Sequence, residues 1–356
     1  MGCIAPGTER VPLIEPGEQY PTACDPRQNS EHCVYPCLDH KTLLDVLDPH
    51  YTWRYYAFSP SDIWEAPSAV KDVCKPSPQM PNGITCLNPE WQANVVFPLP
   101  ADKARIMTDI EDCAHDFPNV AWVIPDGRWS DHPGNKSGSG PSGHDAGPSW
   151  VAHIVNAVGN STCTGDTHPN WTNTVILIVW DDWGGFYDHV SPHQDAGGPG
   201  VGYSNGSGGS KQYVHGFRVP LLVVSRYTKQ TNPTGEYRGY ISGPQSNPDC
   251  AHNNYCHDFG SILNFVEYTF GLGTFGDNIS DYADALAPDA YPTCTDRNLC
   301  PYSLSDFFNF TAPHAFVPIT GWKYDEPCFH ADVRSTQCLG PNSLDADPDD
   351  DAGEDD

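Results

Sequence analysis

"VILIVWDDWGGFYDHV", residues 175–190, decides how the chain is read. Five apolar residues and a tryptophan run into Asp181 and Asp182, then Trp183-Gly184-Gly185, then Tyr187-Asp188-His189. The apolar run reads as a buried strand. Side chains on a strand alternate faces, so two adjacent aspartates converge only if the strand stops. The paired glycines supply that stop, because glycine tolerates positive φ and lets the backbone turn sharply. Two close carboxylates repel, and a shared proton or a cation relieves them. A hard divalent cation held by carboxylate oxygens, with a histidine nearby, is an arrangement suited to phosphoryl transfer. The same residues also fit a plain turn with a helix cap. In that reading His132 and His189 are loop histidines, Asp131 is a cap, and His144 and Asp145 are solvated. His153, within an apolar helix pattern, reads as a packed histidine.

Outward from this stretch, strands and helices alternate. "TWRYYAF" (52–58), "NVAWVIP" (119–125) and "VPLLVVS" (219–225) have strand composition. "KTLLDVLDP" (41–49), "ADKARIMTDIEDC" (101–113), "WVAHIVNAVGNS" (150–161) and "FGSILNFVEYTFGL" (259–272) have helical character. Residues 59–100 read as loop. The alternation predicts an α/β fold with a largely parallel sheet flanked by helices. Ligands of such sheets gather outside the carboxyl ends of the strands. The two most polar loops, "PDGRWSDHPG" (125–134) and "DDWGGFYDH" (181–189), each follow a predicted strand. Three regions are expected: an irregular disulfide-rich arm over 1–38, the main domain over 39–330, and an acidic disordered tail over 331–356.

Composition narrows the partners. At 356 residues the chain can bury a large core. Asp and Glu number 46 against 18 Lys and Arg, a net charge of −28, which argues against nucleic acid and anionic membranes as partners. No apolar run is long enough to span a bilayer, so no transmembrane segment is expected. There are 14 cysteines, many in short local pairs: Cys24/Cys33/Cys37, Cys74/Cys86, Cys250/Cys256, Cys294/Cys300 and Cys328/Cys338. None has zinc-ribbon spacing, so loop-stapling disulfides in an oxidising compartment are the expectation. Glycosylation triplets at Asn135, Asn160, Asn170, Asn205, Asn278 and Asn309 agree with a secreted or periplasmic chain. The N-terminus carries no recognisable signal peptide, which suggests that the beginning has been lost.

Five segments in order are similar to one known family: "AWVIPDGRWSDHPG", "GPSWVAHIVNAVGNS", "TNTVILIVWDDWGGFYDHVSP", "GFRVPLLVVSRYTK" and "HDFGSILNFVEYTFGL". They resemble the bacterial phosphoesterases, which comprise phosphatidylcholine-type phospholipases C and respiratory-burst-inhibiting acid phosphatases. The resemblance implies an alkaline-phosphatase-like α/β fold, a divalent metal, and a phosphate ester or phospholipid substrate. Asp181 and Asp182 resemble the paired metal ligands of that family. His132, in Ser-Asp-His-Pro, resembles an active-site histidine at the phosphoryl or leaving group, and Asp131 and His189 resemble residues beside it. In such enzymes a metal-activated Ser or Thr attacks phosphorus, and water then releases the phosphoenzyme.

The chain departs from the family at its start. The Glu-Asn-x-Ser-Phe-Asp motif that completes the metal site is absent, and so is the nucleophile that follows it. The chain is therefore expected to be N-terminally incomplete, to bind divalent metal weakly and to hydrolyse phosphate esters poorly. The alternative is a non-catalytic secreted binding protein or a truncated, inactive phosphoesterase relative. A sulfatase- or nuclease-like hydrolase is disfavoured by the Asp-Asp-Trp-Gly-Gly block.

Overall fold

The structure is a computed structural model. It describes residues 2–12, 24, 33–47, 50–58, 64–78, 84–97, 105–125, 129–131, 146–165, 167–189, 203–204, 210–211, 217–230, 239–241, 257, 259–272 and 304–330. His132, His144, Asp145 and the acidic tail lie outside the described residues. In chain order the strands are β1 (Val11–Pro12), β2 (Cys33–Val34), β3 (Trp53–Tyr56), β4 (Val95–Val96), β5 (Val120–Val123), β6 (Val175–Val179), β7 (Tyr203–Ser204), β8 (Ser210–Lys211) and β9 (Leu221–Ser225). The main helices are α1 (Leu43–Leu47), α2 (Lys71–Cys74), α3 (Pro89–Asn94), α4 (Arg105–Glu111), α5 (Ala146–Asn160) and α6 (Phe259–Phe270). The chain divides into two compact units. One comprises Met1–Trp53, Ala66–Gln92 and Val175–Ala315; the other comprises Arg54–Glu65, Ala93–Thr174 and Phe316–Asp356.

The second unit carries the parallel sheet, ordered β4-β3-β5. Tyr55 lies opposite Val95 and Tyr56 opposite Val96, in parallel. On the other side the Ile124 N–H donates to the Tyr56 carbonyl at 2.9 Å. Helix α4 buries Ile106, Met107 and Ile110, while α5 buries Trp150, Ala152, Val155 and Val158, the recurring one-sided spacing of amphipathic helices. The two helices pack together. A disulfide between Cys113 and Cys163 joins the segments that follow them. Helix α5 starts four residues before its expected position, through Gly147 and Pro148. Proline is tolerated in a first turn because its missing N–H would have no intrahelical partner there.

Two polar anchors and one aromatic cluster complete this unit. Asn156 bonds Ile319 in both directions, at 2.9 and 3.0 Å, and Ser149 Oγ accepts the N–H groups of Lys323 and Tyr324. These bonds hold residues 316–330 along α5. Phe329, fully buried, meets Trp129 at 4.4 Å and Trp150 at 5.3 Å between ring centroids, both edge-on. His153 packs against Phe329 and Trp322, and its Nε2 lies 3.0 Å from the Tyr324 carbonyl, in keeping with the packed-histidine reading. The carboxyl edge of the sheet is consequently plugged. Tyr56, Ala57, Val96, Ile124, Trp129 and Trp150 are among the residues lining a cavity of about 20 Å³ there, room for a single water.

In the first unit, β6 and β9 pair antiparallel, Val175 opposite Ser225 and Val179 opposite Leu221. The expectation that β6 ends at the edge of a parallel sheet is corrected here. Both strands are apolar at nearly every position, so no alternation marked which way they would pair. One face of the ribbon, with Val175, Leu177, Leu221 and Val223, packs on Phe265 of α6 and on Leu304 and Phe308. Phe265 and Phe308 stack at 5.4 Å.

Residues 59–100 also depart from the loop reading, since they contain α2, α3, β4 and a 3-10 turn over Ala66–Ala69. Two expected local disulfides form, Cys24–Cys33 and Cys74–Cys86; Cys37 instead bonds Cys3. Cys250, Cys256, Cys294, Cys300 and Cys338 lie outside the described residues. No helix among the described residues is long and apolar enough to cross a membrane.

Candidate active site

Antiparallel pairing has a direct consequence for the site. It lays the residues that follow Val179 alongside those that precede Leu221. The backbone turns where the glycines predict: Gly184 has φ +64° and Gly185 φ +79°, which L-residues adopt only under strain. The Gly184 N–H donates to Asp182 Oδ1, and the Phe186 N–H donates to the Trp183 carbonyl at 3.1 Å. One carboxylate oxygen of the pair therefore builds the turn itself, as aspartate commonly does. Asp181, Asp182 and Trp183 are all exposed.

Downstream, Asp188 is fixed from the other arm of the ribbon. Arg218 grips it with two bonds, Nε to Oδ2 at 2.7 Å and Nη2 to Oδ1 at 2.9 Å. This is the two-pronged geometry that a guanidinium offers a carboxylate. Asp188 is only 14% exposed, and the exposed His189 places Nδ1 3.5 Å from its Oδ1. Beside the pair, the ring of Phe217 meets Trp183 and Tyr187 edge-on, each at 5.8 Å. Asp181, Asp182 and His189 thus share one turn whose far end is clamped by an ion pair. Sequence reading passed over Asp188, Phe217 and Arg218. The one available signal was the position of "GFRVP" immediately before a predicted strand.

Asp131 belongs to the other unit and lies against the first turn of α5. A Cβ added at Gly147 would sit 3.5 Å from Asp131 Oδ1. A carboxylate is favourably placed at a helix N-terminus, so the location also suits a capping role. His132, its neighbour in sequence, is outside the described residues.

Asp181 and Asp182 offer two carboxylates to a cation, one of them already accepting the Gly184 N–H. Hard divalent cations take six or more oxygen ligands, partly from water. Among the described residues no group of three or more His, Cys, Asp or Glu side chains is placed to hold a metal ion. The described residues alone therefore do not make up a metal centre.

The model of the Phosphoesterase family matches residues 22–273, a span that holds the β4-β3-β5 sheet, the β6-β9 ribbon and helices α1 to α6, and the chain belongs to that family. Among named proteins it is similar to the non-hemolytic phospholipase C of Pseudomonas aeruginosa, 23% identical over 74% of this chain and 32% of that protein. It is 26% identical to phospholipase C B of Mycobacterium tuberculosis, over 64% of this chain and 36% of the relative. Non-specific phospholipase C6 of Arabidopsis thaliana is 29% identical over 53% and 34% of the respective chains. In each case the match spans about a third of the relative's length.

Proposed function

We propose that the chain carries the strand-end carboxylate site of a phosphate-ester hydrolase of phospholipase C or acid phosphatase type. Family membership and the phospholipase C relatives support hydrolysis of phosphate esters, phospholipids among them. The observation that carries the reading is the Asp181-Asp182 turn, which presents both carboxylates to solvent at the end of β6.

In this reading Asp181 and Asp182 are ligands of a divalent cation whose other ligands lie outside the described residues. His132 serves the phosphoryl or leaving-group oxygen, where an imidazole can hold or give a proton. Asp131 and His189 act beside it. Asp188, held by Arg218, sets the position of His189. The four disulfides among the described residues support an extracellular or periplasmic setting.

The test is hydrolysis of p-nitrophenyl phosphate and of phosphatidylcholine, with and without added divalent cations, alongside Asp181→Asn and Asp182→Asn. Slow, metal-dependent turnover that either substitution abolishes is the expected result. Turnover indifferent to metal and to both aspartates would overturn the site. No turnover and no calorimetric metal binding would instead favour the non-catalytic binding protein.

A further inference from the structure

The six glycosylation triplets exceed what the chain's 20 asparagines and its serine and threonine content would yield at random. Two of them have the same local geometry. In one, Asn309 Oδ1 accepts the Thr311 N–H at 3.1 Å and the Thr311 hydroxyl at 2.7 Å. In the other, Asn170 Oδ1 accepts the Thr172 N–H at 2.9 Å and the Thr172 hydroxyl. Each is a turn that sets the hydroxyl of the third residue against the carboxamide of the first.

Their surroundings differ. The Asn170 Nδ2 points inward to the carbonyls of Cys163 and His168, at 3.5 and 3.4 Å, and Cys163 is bonded to Cys113. Asn309 is exposed, and its Nδ2 donates to none of the described residues. Next to it Phe310 is 60% exposed, stacked on Phe308 and tilted against Tyr227. An exposed ring beside the acceptor offers apolar area that the apolar face of a sugar can cover.

We infer that Asn309 is an N-glycosylation site and that Asn170 is left bare. The disulfides agree with passage through an oxidising secretory compartment, which in a eukaryotic cell is where such transfer takes place. The donor is an oligosaccharide carried on a lipid pyrophosphate. A bond forms between Asn309 Nδ2 and the anomeric carbon, while the bond from that carbon to the pyrophosphate oxygen breaks. The lipid pyrophosphate leaves, one amide proton passes to a base of the transferase, and nothing is oxidised or reduced. Transfer needs the amide nitrogen within reach of the transferase. Once the local turns have formed, Asn309 presents it to solvent, whereas Asn170 has its own held against the Cys163 and His168 carbonyls.

The full chain, secreted from a eukaryotic host, is treated with peptide N-glycosidase in heavy-oxygen water and its peptides are weighed. Conversion of Asn309 to heavy-labelled aspartate, with Asn170 unconverted, is the expected result. Thr311→Ala removes one glycan step on a gel, and Thr311→Ser, which keeps the hydroxyl, retains it. An Asn309 peptide without label overturns the inference, as does label at Asn170 with Asn309 bare. The peptide measurement needs no variant, so a variant that fails to fold does not blunt it.

Discussion

Asp109 and Asp182 are both aspartates beside a sheet, and they are used in opposite ways. Asp109, on α4 in the parallel-sheet unit, is 11% exposed and accepts three hydrogen bonds. They come from Arg105, from Arg54 at 3.0 Å and from the Tyr56 hydroxyl at 2.8 Å. Asp182, with Asp181, faces solvent on the ribbon turn and accepts one backbone bond within its own loop. The first carboxylate ties a strand to a helix; the second is held by a turn that leaves most of its lone pairs open. The parallel-sheet unit therefore concentrates stability, with its sheet edge filled by tryptophan. The ribbon turn concentrates unmet charge.

The largest effect should come from emptying the plug. Phe329→Ala removes a fully buried ring from contact with Trp129, Trp150 and His153, and should cost about 4 kcal/mol in urea unfolding. A loss under half that size would mean the aromatic cluster collapses to fill the space. Asp109→Ala comes next, at about 3 kcal/mol, because it takes a buried carboxylate from the Arg54 guanidinium and the buried Tyr56 phenol.

The same cluster carries a pH signature. Burial, with the nearby Asp109 charge, pushes the Tyr56 hydroxyl far above its ordinary value of 10.0, against smaller opposing pulls from Arg54. Above that ordinary value the unfolded chain loses the phenol proton while the folded chain keeps it. Stability attributable to Tyr56 is thus complete below pH 10 and declines as pH rises toward the folded value, by about 1.4 kcal/mol per pH unit. Tyr56→Phe should flatten that part of a stability-versus-pH curve. An unchanged slope would show that the phenol ionises freely in the folded state.

What the sequence disclosed follows from the range of the forces involved. Helices α4 and α6 and strands β5, β6 and β9 were legible within a few residues, because each is announced by its own periodicity and punctuation. Positive φ at Gly184 and Gly185 was legible for the same reason. Pairing direction was not, because an apolar run without alternation satisfies either register. Helix α3 and strand β4 were hidden by being short and by Pro89, which reads as a breaker although it stands at the first position of a helix. Non-local bonds were the least legible. Cys113 and Cys163 are 50 residues apart, and nothing near either one names the other. Arg218 reaches Asp188 only because the ribbon folds back on itself.

That last bond gives the next test of the contrast. Arg218→Met takes the guanidinium away from Asp188 but leaves the ribbon core intact, so stability should fall by about 1 kcal/mol, as for a partly exposed pair. The turn itself should loosen more than the protein does, shown by faster amide exchange at Phe186 and Tyr187 than at Leu177 or Val223. Uniform loosening throughout the ribbon would make the ion pair a support of the whole unit, and the division between stability and open charge would lose its boundary.

The smallest change in stability belongs to Asp181. Its carboxylate is exposed and adjacent to another, so Asp181→Asn relieves like-charge repulsion and should alter unfolding free energy by less than about 0.5 kcal/mol. Asp182→Ala should cost slightly more, since it deletes the acceptor of the Gly184 N–H. If the pair serves a cation, divalent metal should raise the melting temperature of the parent chain and of neither variant. A stabilising ligand acts only through binding to the folded state, so the difference isolates the two carboxylates from every structural effect of replacing them. Were Asp181→Asn to destabilise the metal-free chain as Asp109→Ala does, the turn would be a second structural knot, and its exposure would no longer mark a site.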